Sequence, residues 1–574
     1  MKNSEVADIL YGIADMLEMQ NIQFKPNAYR KAARSVEESS HDVNEIYQSK
    51  GKAGLKDKFS GVGNAISEKI EEFLTTGKLR YYEELKKKFP KHISELMEIS
   101  SLGPKRIKLL HEKLKISNVK QLEAAARKHK IAKLATLGKK TEEEILKGIE
   151  MFKRGQERMF LGHALPIALE IENKIKKFKD VEASSICGSI RRRKETIGDI
   201  DILASSAKPD KVMSFFTKLP GVKRVLAKGS TKASVLLKND LQIDLRVVES
   251  SSYGAALQYF TGSKEHNIAV RELAIRKKLK INEYGVYKGK KKIAGKTEKE
   301  VYKKLGMDYV EPELRENRGE IEASLKRKLP NIVSCNNIKG DFHAHTKFSD
   351  GSDSIEEMVA AAKKLGYEYI AITDHSKSLR VAHGLSEQKM LEHIKKIKVI
   401  DKKTKGIKVL AGSEIEILPN GELDYSDSLL KKFDIVVGAV HSRFKSSKEE
   451  MTSRILTALE NPYIDILAHP TGRRIGKREP YEVDLKKVFE KAAKNKVYLE
   501  INSHPERTDL NDINAFEAKK HGCKFVIDTD AHSTSGLDYI NLGVAIARRA
   551  WLTQKDIVNT SSAKQLSKLF KRIK

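Results

Sequence analysis

Asp199 and Asp201 stand one residue apart in Gly198-Asp199-Ile200-Asp201-Ile202. On a strand both carboxylates share one face while Ile200 and Ile202 bury the other. A second alternating run, Leu241-Gln242-Ile243-Asp244-Leu245, offers Asp244 to the same face of an adjacent strand. Three hard oxygen donors there suit Mg²⁺ pairs that clamp the attacking and leaving oxygens of a phosphoryl transfer. Gly188-Ser189, ten residues before Gly198-Asp199, supplies a backbone and hydroxyl cradle for phosphate oxygens. Arg192 is placed to neutralise a triphosphate. A D-x-D strand alone is more often a solvated surface. The Gly-Ser turn upstream and the partner strand downstream favour catalysis.

A second set of reactive residues lies further on. Seven apolar, β-branched runs between 338 and 532 each end in a metal-competent residue or an acid. Their ends carry His343 with His345, Asp374-His375, Glu414, His441, His469, Glu500 to Asn502, and Asp528 to Asp530 with His532. One histidine at a strand end is usually structural. Repetition, with Asp350 added, supplies ligands for two or three ions, and Glu414 could bridge two of them. Imidazole with carboxylate suits Zn²⁺, Mn²⁺ or Fe²⁺ without choosing among them. Such a cluster generates hydroxide near neutral pH and binds phosphate oxygens, the chemistry of phosphoester hydrolysis.

These ends recur about every 30 residues, the length of one βα unit. Near-continuous apolar strands alternating with helices imply parallel strands buried on both faces, and reactive residues at successive C-terminal tips imply a (β/α) barrel. The first 150 residues read instead as short helices joined by glycine turns. Three turns are alike: Ser60-Gly61-Val62-Gly63, Ser101-Leu102-Gly103-Pro104 and Thr136-Leu137-Gly138-Lys139. Each aligned glycine (Gly63, Gly103, Gly138) precedes an apolar residue by seven positions: Ile70, Leu110 and Ile145. This is the helix-hairpin-helix design, whose backbone N–H groups meet nucleic-acid phosphates without reading sequence. Lys105 and Arg106 flank the second turn.

The chain has 574 residues and a net charge of +31, spread as +1 over residues 1–90, +22 over 91–310 and +8 over 311–574. The basic middle points to a polyanion. Ten of sixteen histidines lie at or beyond His343. The absence of an apolar run of about 18 residues or a signal pattern argues against a membrane span or export. Three cysteines without metal-type spacing suit a reducing cytoplasm.

Gly-Ser followed by Gly-Asp-x-Asp resembles the nucleotidyltransferase superfamily. Tyr259-Phe260-Thr261-Gly262-Ser263 and Ile281-Asn282-Glu283-Tyr284 narrow the resemblance to the family-X DNA polymerases, relatives of polymerase beta. Asn27-Ala28-Tyr29-Arg30-Lys31-Ala32-Ala33 and Phe73-Leu74-Thr75-Thr76-Gly77-Lys78-Leu79-Arg80 resemble that family's eight-kilodalton domain. The resemblance implies that Asp199, Asp201 and Asp244 hold two Mg²⁺ or Mn²⁺ ions, with Asp244 nearest the primer 3′-OH. It implies that Gly188, Ser189, Arg192 and Gly198 bind the triphosphate, and that the turn from Tyr259 and Phe260 to Gly262 lies against the incoming sugar. Asn267 and Arg271 match contacts to the nascent base pair and template. Tyr29, Gly61, Gly63, Gly103, Lys105 and Gly138 would face DNA. Lys69 matches the lysine that forms a Schiff base with a 5′-deoxyribose phosphate, although Ala65 replaces a nearby lysine of animal members.

His343-Ala344-His345, Thr373-Asp374-His375 and Asp530-Ala531-His532 resemble the PHP (polymerase and histidinol phosphatase) domain. Its ligand set falls on His343, His345, Asp350, His375, Glu414, His441, His469, Asp530 and His532. Arg507, Asn502 and Arg473 lie near strand ends as candidates for DNA phosphates. The expected architecture is multidomain. Helix-hairpin-helix domains span 1–90 and 91–150, a polymerase beta-like palm 151–260 and a thumb 261–316. A linker at 317–337 leads to a distorted (β/α)7 PHP barrel over 338–574. The expected function is a cytoplasmic, monomeric repair polymerase that fills short gaps, as in base excision repair. Its partners are gapped or primer-template DNA and dNTPs. The PHP site would add 3′→5′ exonuclease and AP endonuclease or 3′-phosphatase chemistry. The competing readings are a template-independent or RNA-adding nucleotidyltransferase, a histidinol-phosphate-type phosphatase fused to a nucleotidyltransferase or DNA-binding module, and a purely DNA-organising protein with dead sites, which the full ligand sets disfavour.

Overall fold

The computed structural model describes residues 2–20, 22–37, 43–87, 93–97, 99, 102–134, 137–156, 158–239 and 241–573. Ser101 and Thr136, which open the second and third glycine turns, lie outside them. Helices fill the first 156 residues, from Lys2–Met19 to Lys139–Gln156. The apolar positions set by the hairpin spacing (Ile70, Leu110, Ile145) are all buried, in one cluster that runs from Val6 to Phe152. Residues 1–90 and 91–150 therefore share a core. Gly61 has φ +83, and a Cβ there would lie 3.0 Å from the Ala32 nitrogen, so this turn requires glycine. Around Gly63, Gly103 and Gly138 a Cβ would meet nothing within 4 Å, which leaves their backbone open to an approaching ligand.

The palm is a five-stranded sheet of β1 (Ala183–Ile186), β2 (Asp199–Ser205), β3 (Val222–Lys228), β4 (Lys232–Leu237) and β5 (Gln242–Val248). Its order is β1-β2-β5-β4-β3, with β2 and β5 parallel and the other pairs antiparallel. Ile200, Ile202, Ile243 and Leu245 enter the core, as the alternation requires. Helices Tyr253–Thr261 and Lys264–Arg276 then lead to a small antiparallel thumb sheet, β6 (Lys280–Asn282), β7 (Gly285–Lys288) and β8 (Lys291–Ala294).

The segment that joins the two halves is folded. Helix Glu320–Leu325 sits against the thumb, where buried Glu320 lies 2.7 Å from His266 Nδ1. An exposed turn follows at Lys326, Arg327 and Lys328.

The C-terminal module is a parallel barrel of β9 (Gly340–Asp341), β10 (Tyr369–Ile372), β11 (Lys408–Glu416), β12 (Ile435–Ala439), β13 (Ile466–Leu467), β14 (Tyr498–Asn502) and β15 (Phe525–Asp528). The strands pair in sequence order, and an Ala344–Ala531 bridge nearly closes the ring. Ile370 and Ile372 face the surrounding helices while Tyr369 and Ala371 face the lumen, so the strands are apolar on both sides. Phe570 and Ile573 from the C-terminus help fill the lumen. Helix Ile540–Arg549 inserts Leu542 and Ala545 into the apolar cluster of the palm. Lys58 of the N-terminal helices pairs with Glu357 at 3.1 Å, and Lys445 with Glu144 at 2.6 Å. The barrel thus touches both palm and helical region. Among the described residues no helix is long and apolar enough to cross a membrane.

Candidate active sites

Parallel pairing of β2 with β5 puts Asp201 directly opposite Asp244, and Asp199 two residues away at the tip of the same strand. Gly188 adopts φ +62, and a Cβ there would come within 2.5 Å of Asp201 Oδ2, so only glycine lets the loop pass this carboxylate. Burial pushes Asp201 up to about 6, and the charges of Asp199 and Asp244 add to the rise. Burial would also raise Asp244, but hydrogen bonds from Lys232, Gln242 and Ser234 hold it below the usual carboxylate range. Lys232 Nζ is 2.8 Å from Asp244 Oδ2, and Gln242 Nε2 donates to Oδ1 at 2.8 Å. The charges of Asp199 and Asp244 oppose ionisation of Asp201, a repulsion that a divalent cation at this edge of the sheet would relieve.

Arg192 is held in place beside this site. Its Nε donates to Glu316 Oε1 at 3.1 Å, and its Nη1 donates to the Thr261 carbonyl. Asn267 donates from Nδ2 to the Tyr259 carbonyl at 2.7 Å and accepts from Gln258 at 2.8 Å, so it anchors the Tyr259–Gly262 turn. The Arg246 guanidinium lies over the Phe260 ring, 4.5 Å from its centre. Tyr259, Arg271, Asn282 and Glu283 line a cavity of about 300 Å³. Lys69 is separate from these groups: its Nζ donates to the Ala65 carbonyl at 3.1 Å and lies 4.8 Å from the centre of the Tyr81 ring.

All nine residues of the second set converge at the barrel mouth. They form three overlapping groups: His345, Asp350, His375 and His532; His343, His345, Glu414 and Asp530; and Glu414, His441 and His469. Glu414 is shared, with Oε2 2.8 Å from His375 Nδ1 and Oε1 2.9 Å from His469 Nε2. His343 Nε2, both ring nitrogens of His345 and His469 Nδ1 are buried without a hydrogen-bond partner. Buried polar atoms are rarely left so, and divalent ions would satisfy them. Burial, with His375 and His532 nearby, holds His345 down to about 4; burial and Arg507 hold His469 down to about 3. Both rings are then neutral, as ligands must be. His469 (φ 28) and Asp530 (φ 52) sit in the left-handed region, local strain of the kind that collects at functional sites.

Full-length comparison decides the identity. The chain is 36% identical over 578 aligned positions to the DNA polymerase/3′-5′ exonuclease PolX of Bacillus subtilis, covering all of both proteins. The chain belongs to the PolX family. Residues 1–79 match a helix-hairpin-helix domain, 256–316 the DNA polymerase beta thumb and 341–504 the PHP domain. Probable phosphatases also resemble part of this PolX protein. One from Thermoanaerobacter sp. is 31% identical, across 39% of this chain and 91% of its own. One from Acetivibrio thermocellus is 31% identical, across 33% of this chain and 78% of its own.

The PolX barrel also contains partners that the motif reading did not include. His343 Nδ1 lies 2.7 Å from Glu500, and His441 Nδ1 2.9 Å from Glu416, which Arg454 pairs at 3.1 Å. These carboxylates fix ring orientation and tautomer. Glu416 follows Glu414 by two residues on one strand, so alternation could have found it; Glu500 stands two residues before the end of its strand, on the same face as Asn502. Of the three phosphate candidates, Arg507 reaches the mouth, with Nε 3.4 Å from Asp530. Asn502 is bound to Glu500 and Asp530. Arg473 instead crosses to the palm and pairs with Glu195 at 2.6 Å, so its charge is already used. Arg34 of the N-terminal helices stands 3.5 Å from Asp350.

Proposed function

We propose that this PolX protein is a template-directed DNA polymerase with a physically separate 3′→5′ exonuclease. It would fill short gaps in repair. The observation that supports it is two sets of candidate ligands on different elements, one on the paired strands β2 and β5 and one at the barrel mouth. Residues 1–90 and 91–150 would grip the duplex through Gly61, Gly63, Gly103, Lys105, Gly138 and Tyr29. Residues 151–260 and 261–316 would serve as palm and thumb, and 338–574 as the PHP module. Cytoplasmic location, a monomer, and AP endonuclease or 3′-phosphatase activity belong to the same proposal.

In the palm, Asp199, Asp201 and Asp244 would hold Mg²⁺ or Mn²⁺, which when bound supplies charge neutralisation for transfer to the primer 3′-OH. Gly188, Ser189 and Gly198 would cradle phosphate oxygens while the Arg192 guanidinium meets the triphosphate. The turn from Tyr259 and Phe260 to Gly262, anchored by Asn267, would press on the sugar and exclude a 2′-OH. Arg271 would contact the template. In the PHP module the nine ligands would hold two or three Mn²⁺, Zn²⁺ or Fe²⁺ ions, which supply a phosphate-polarising centre that delivers the hydrolytic nucleophile. Arg507 would steady the phosphate. Lys69 would act as a lyase nucleophile on a 5′-deoxyribose phosphate.

A gapped duplex with a 5′-labelled primer, with and without dNTPs, tests the division. Asp199→Ala with Asp201→Ala should abolish extension and leave degradation, whereas His343→Ala with His345→Ala should do the reverse. Degradation that disappears with the aspartate pair alone would sink the two-site reading. The likeness to probable phosphatases favours a second reading, a small-molecule phosphomonoesterase in the barrel. Phosphate release from histidinol phosphate, with no loss of labelled DNA ends, would favour it.

A further inference from the structure

Arg549, the last residue of the barrel helix Ile540–Arg549, is 3% exposed, and its Nη1 reaches out of the barrel. Nη1 donates to the Arg192 carbonyl at 2.7 Å and to Glu316 Oε1 at 2.9 Å. Nη2 donates to Asp512 Oδ2 at 2.8 Å, and Arg318 shares that same oxygen at 2.9 Å. The PHP helix thus grips the palm loop that carries Gly188, Ser189 and Arg192. Arg473 holds that loop a second time, at Glu195.

Glu316 decides what this grip does. Its carboxylate is largely but not fully buried and serves two arginines: Arg192 through Nε at 3.1 Å and Arg549 at 2.9 Å; Lys194 stands 3.6 Å away. For the Arg192 guanidinium to turn all of its donors to a triphosphate, it must leave both Glu316 and the Thr261 carbonyl. A buried carboxylate stripped of its cation is expensive, so Glu316 alone would hold Arg192 back. Arg549 changes that balance, because Glu316 keeps a close guanidinium after Arg192 departs. The same residue fixes the Arg192 backbone, so the departing side chain swings from an anchored point.

We propose that Arg549 is a positioning residue of the polymerase site: it holds the Arg192 loop and takes over Glu316, so that Arg192 is free to bind the incoming nucleotide. The PHP module thereby contributes to nucleotide binding as well as to degradation. The inference rests on the assignment of Arg192 to the triphosphate, and the two are separable by experiment.

The test measures dNTP KM and kcat for gap filling, together with exonuclease rate on single-stranded DNA, for Arg549→Ala, Arg549→Lys, Glu316→Gln, Arg549→Ala/Glu316→Gln and Arg192→Ala in the full chain. Arg549→Ala should raise dNTP KM by about tenfold with kcat within about twofold and the exonuclease rate unchanged. Arg549→Lys, which keeps the charge, should lie between. Neutralising Glu316 in the double variant should bring KM back toward that of Glu316→Gln alone, because no unpaired carboxylate then detains Arg192. An unchanged KM in Arg549→Ala, equal loss of both activities, or no recovery in the double variant would each overturn the proposal. An unchanged KM in Arg192→Ala would instead overturn the assignment of Arg192 on which it rests.

Discussion

Glu500 and Glu416 show how much of a candidate metal centre lies in residues outside its ligand groups. Each holds the Nδ1 side of one ligand histidine, at 2.7 and 2.9 Å, and so turns the Nε2 side toward the cluster. Glu500→Gln should lower exonuclease activity and bound metal about 10- to 100-fold, with gap filling intact, as read from metal content and labelled-primer assays. Most of the nine ligands were legible because they end apolar runs, a position with a chemical signature of its own; Asp350 ends none and came from the resemblance to the PHP domain. Lys232, Glu416 and Arg549 carry no such signature. Lys232 is one lysine among many until β4 pairs with β5 and brings it to Asp244. Arg473 shows the reverse: a strand-end position suggests a DNA contact, yet its partner is Glu195, 278 residues earlier in the chain.

The strands were more legible than the seams between elements. Alternation in Asp199–Ile202 and in Gln242–Leu245 sets which side chains enter the core, and the parallel register then fixes the spacing of the acids. The hairpin spacing likewise predicts burial of Ile70, Leu110 and Ile145. Long-range charge pairing leaves no periodic trace. Glu298, at the start of helix Glu298–Lys304, bonds Arg191 of the palm at 2.6 Å and Arg315 at 2.7 Å, closing the palm–thumb seam. Burial opposes its charge, but Arg315 and Arg191 hold the carboxyl down to about 2 from 4.5. The lowered value means that the seam is fully stabilised above about pH 4.5 and loses that support as pH falls toward 2. The contribution is about 3 kcal/mol at neutral pH. Glu298→Gln should therefore destabilise the protein at pH 7 and flatten the acid branch of its stability curve between pH 4.5 and 2, as measured by urea unfolding.

At the scale of the whole molecule, charge is distributed by task. The +22 of residues 91–310 falls where a template-primer would run, whereas the first 90 residues carry only +1 and present open hairpin backbone at Gly63. Composition conveyed that division; it could not convey how the halves meet. Their contact combines apolar insertion at Leu542 and Ala545 with ion pairs at Arg473, Arg548 and Arg549. These partners lie hundreds of residues apart, beyond the reach of any local pattern. The exposed Lys326-Arg327-Lys328 turn is the natural site for trypsin in the segment between them. Brief digestion should cut there, and the two fragments should still co-elute on gel filtration and retain gap filling. Separation of the fragments in buffer of ordinary ionic strength would mean that the interface is weaker than its contacts indicate.

Leu542 and Ala545 then acquire a meaning beyond packing. A barrel whose helix completes the apolar interior of its neighbour leaves that neighbour with a hole when it is removed. Covalent continuity between the halves should consequently be dispensable, whereas their company should not. The same enzyme could be encoded as two genes whose products assemble after translation, but a polymerase half expressed alone would expose a greasy socket and tend to aggregate.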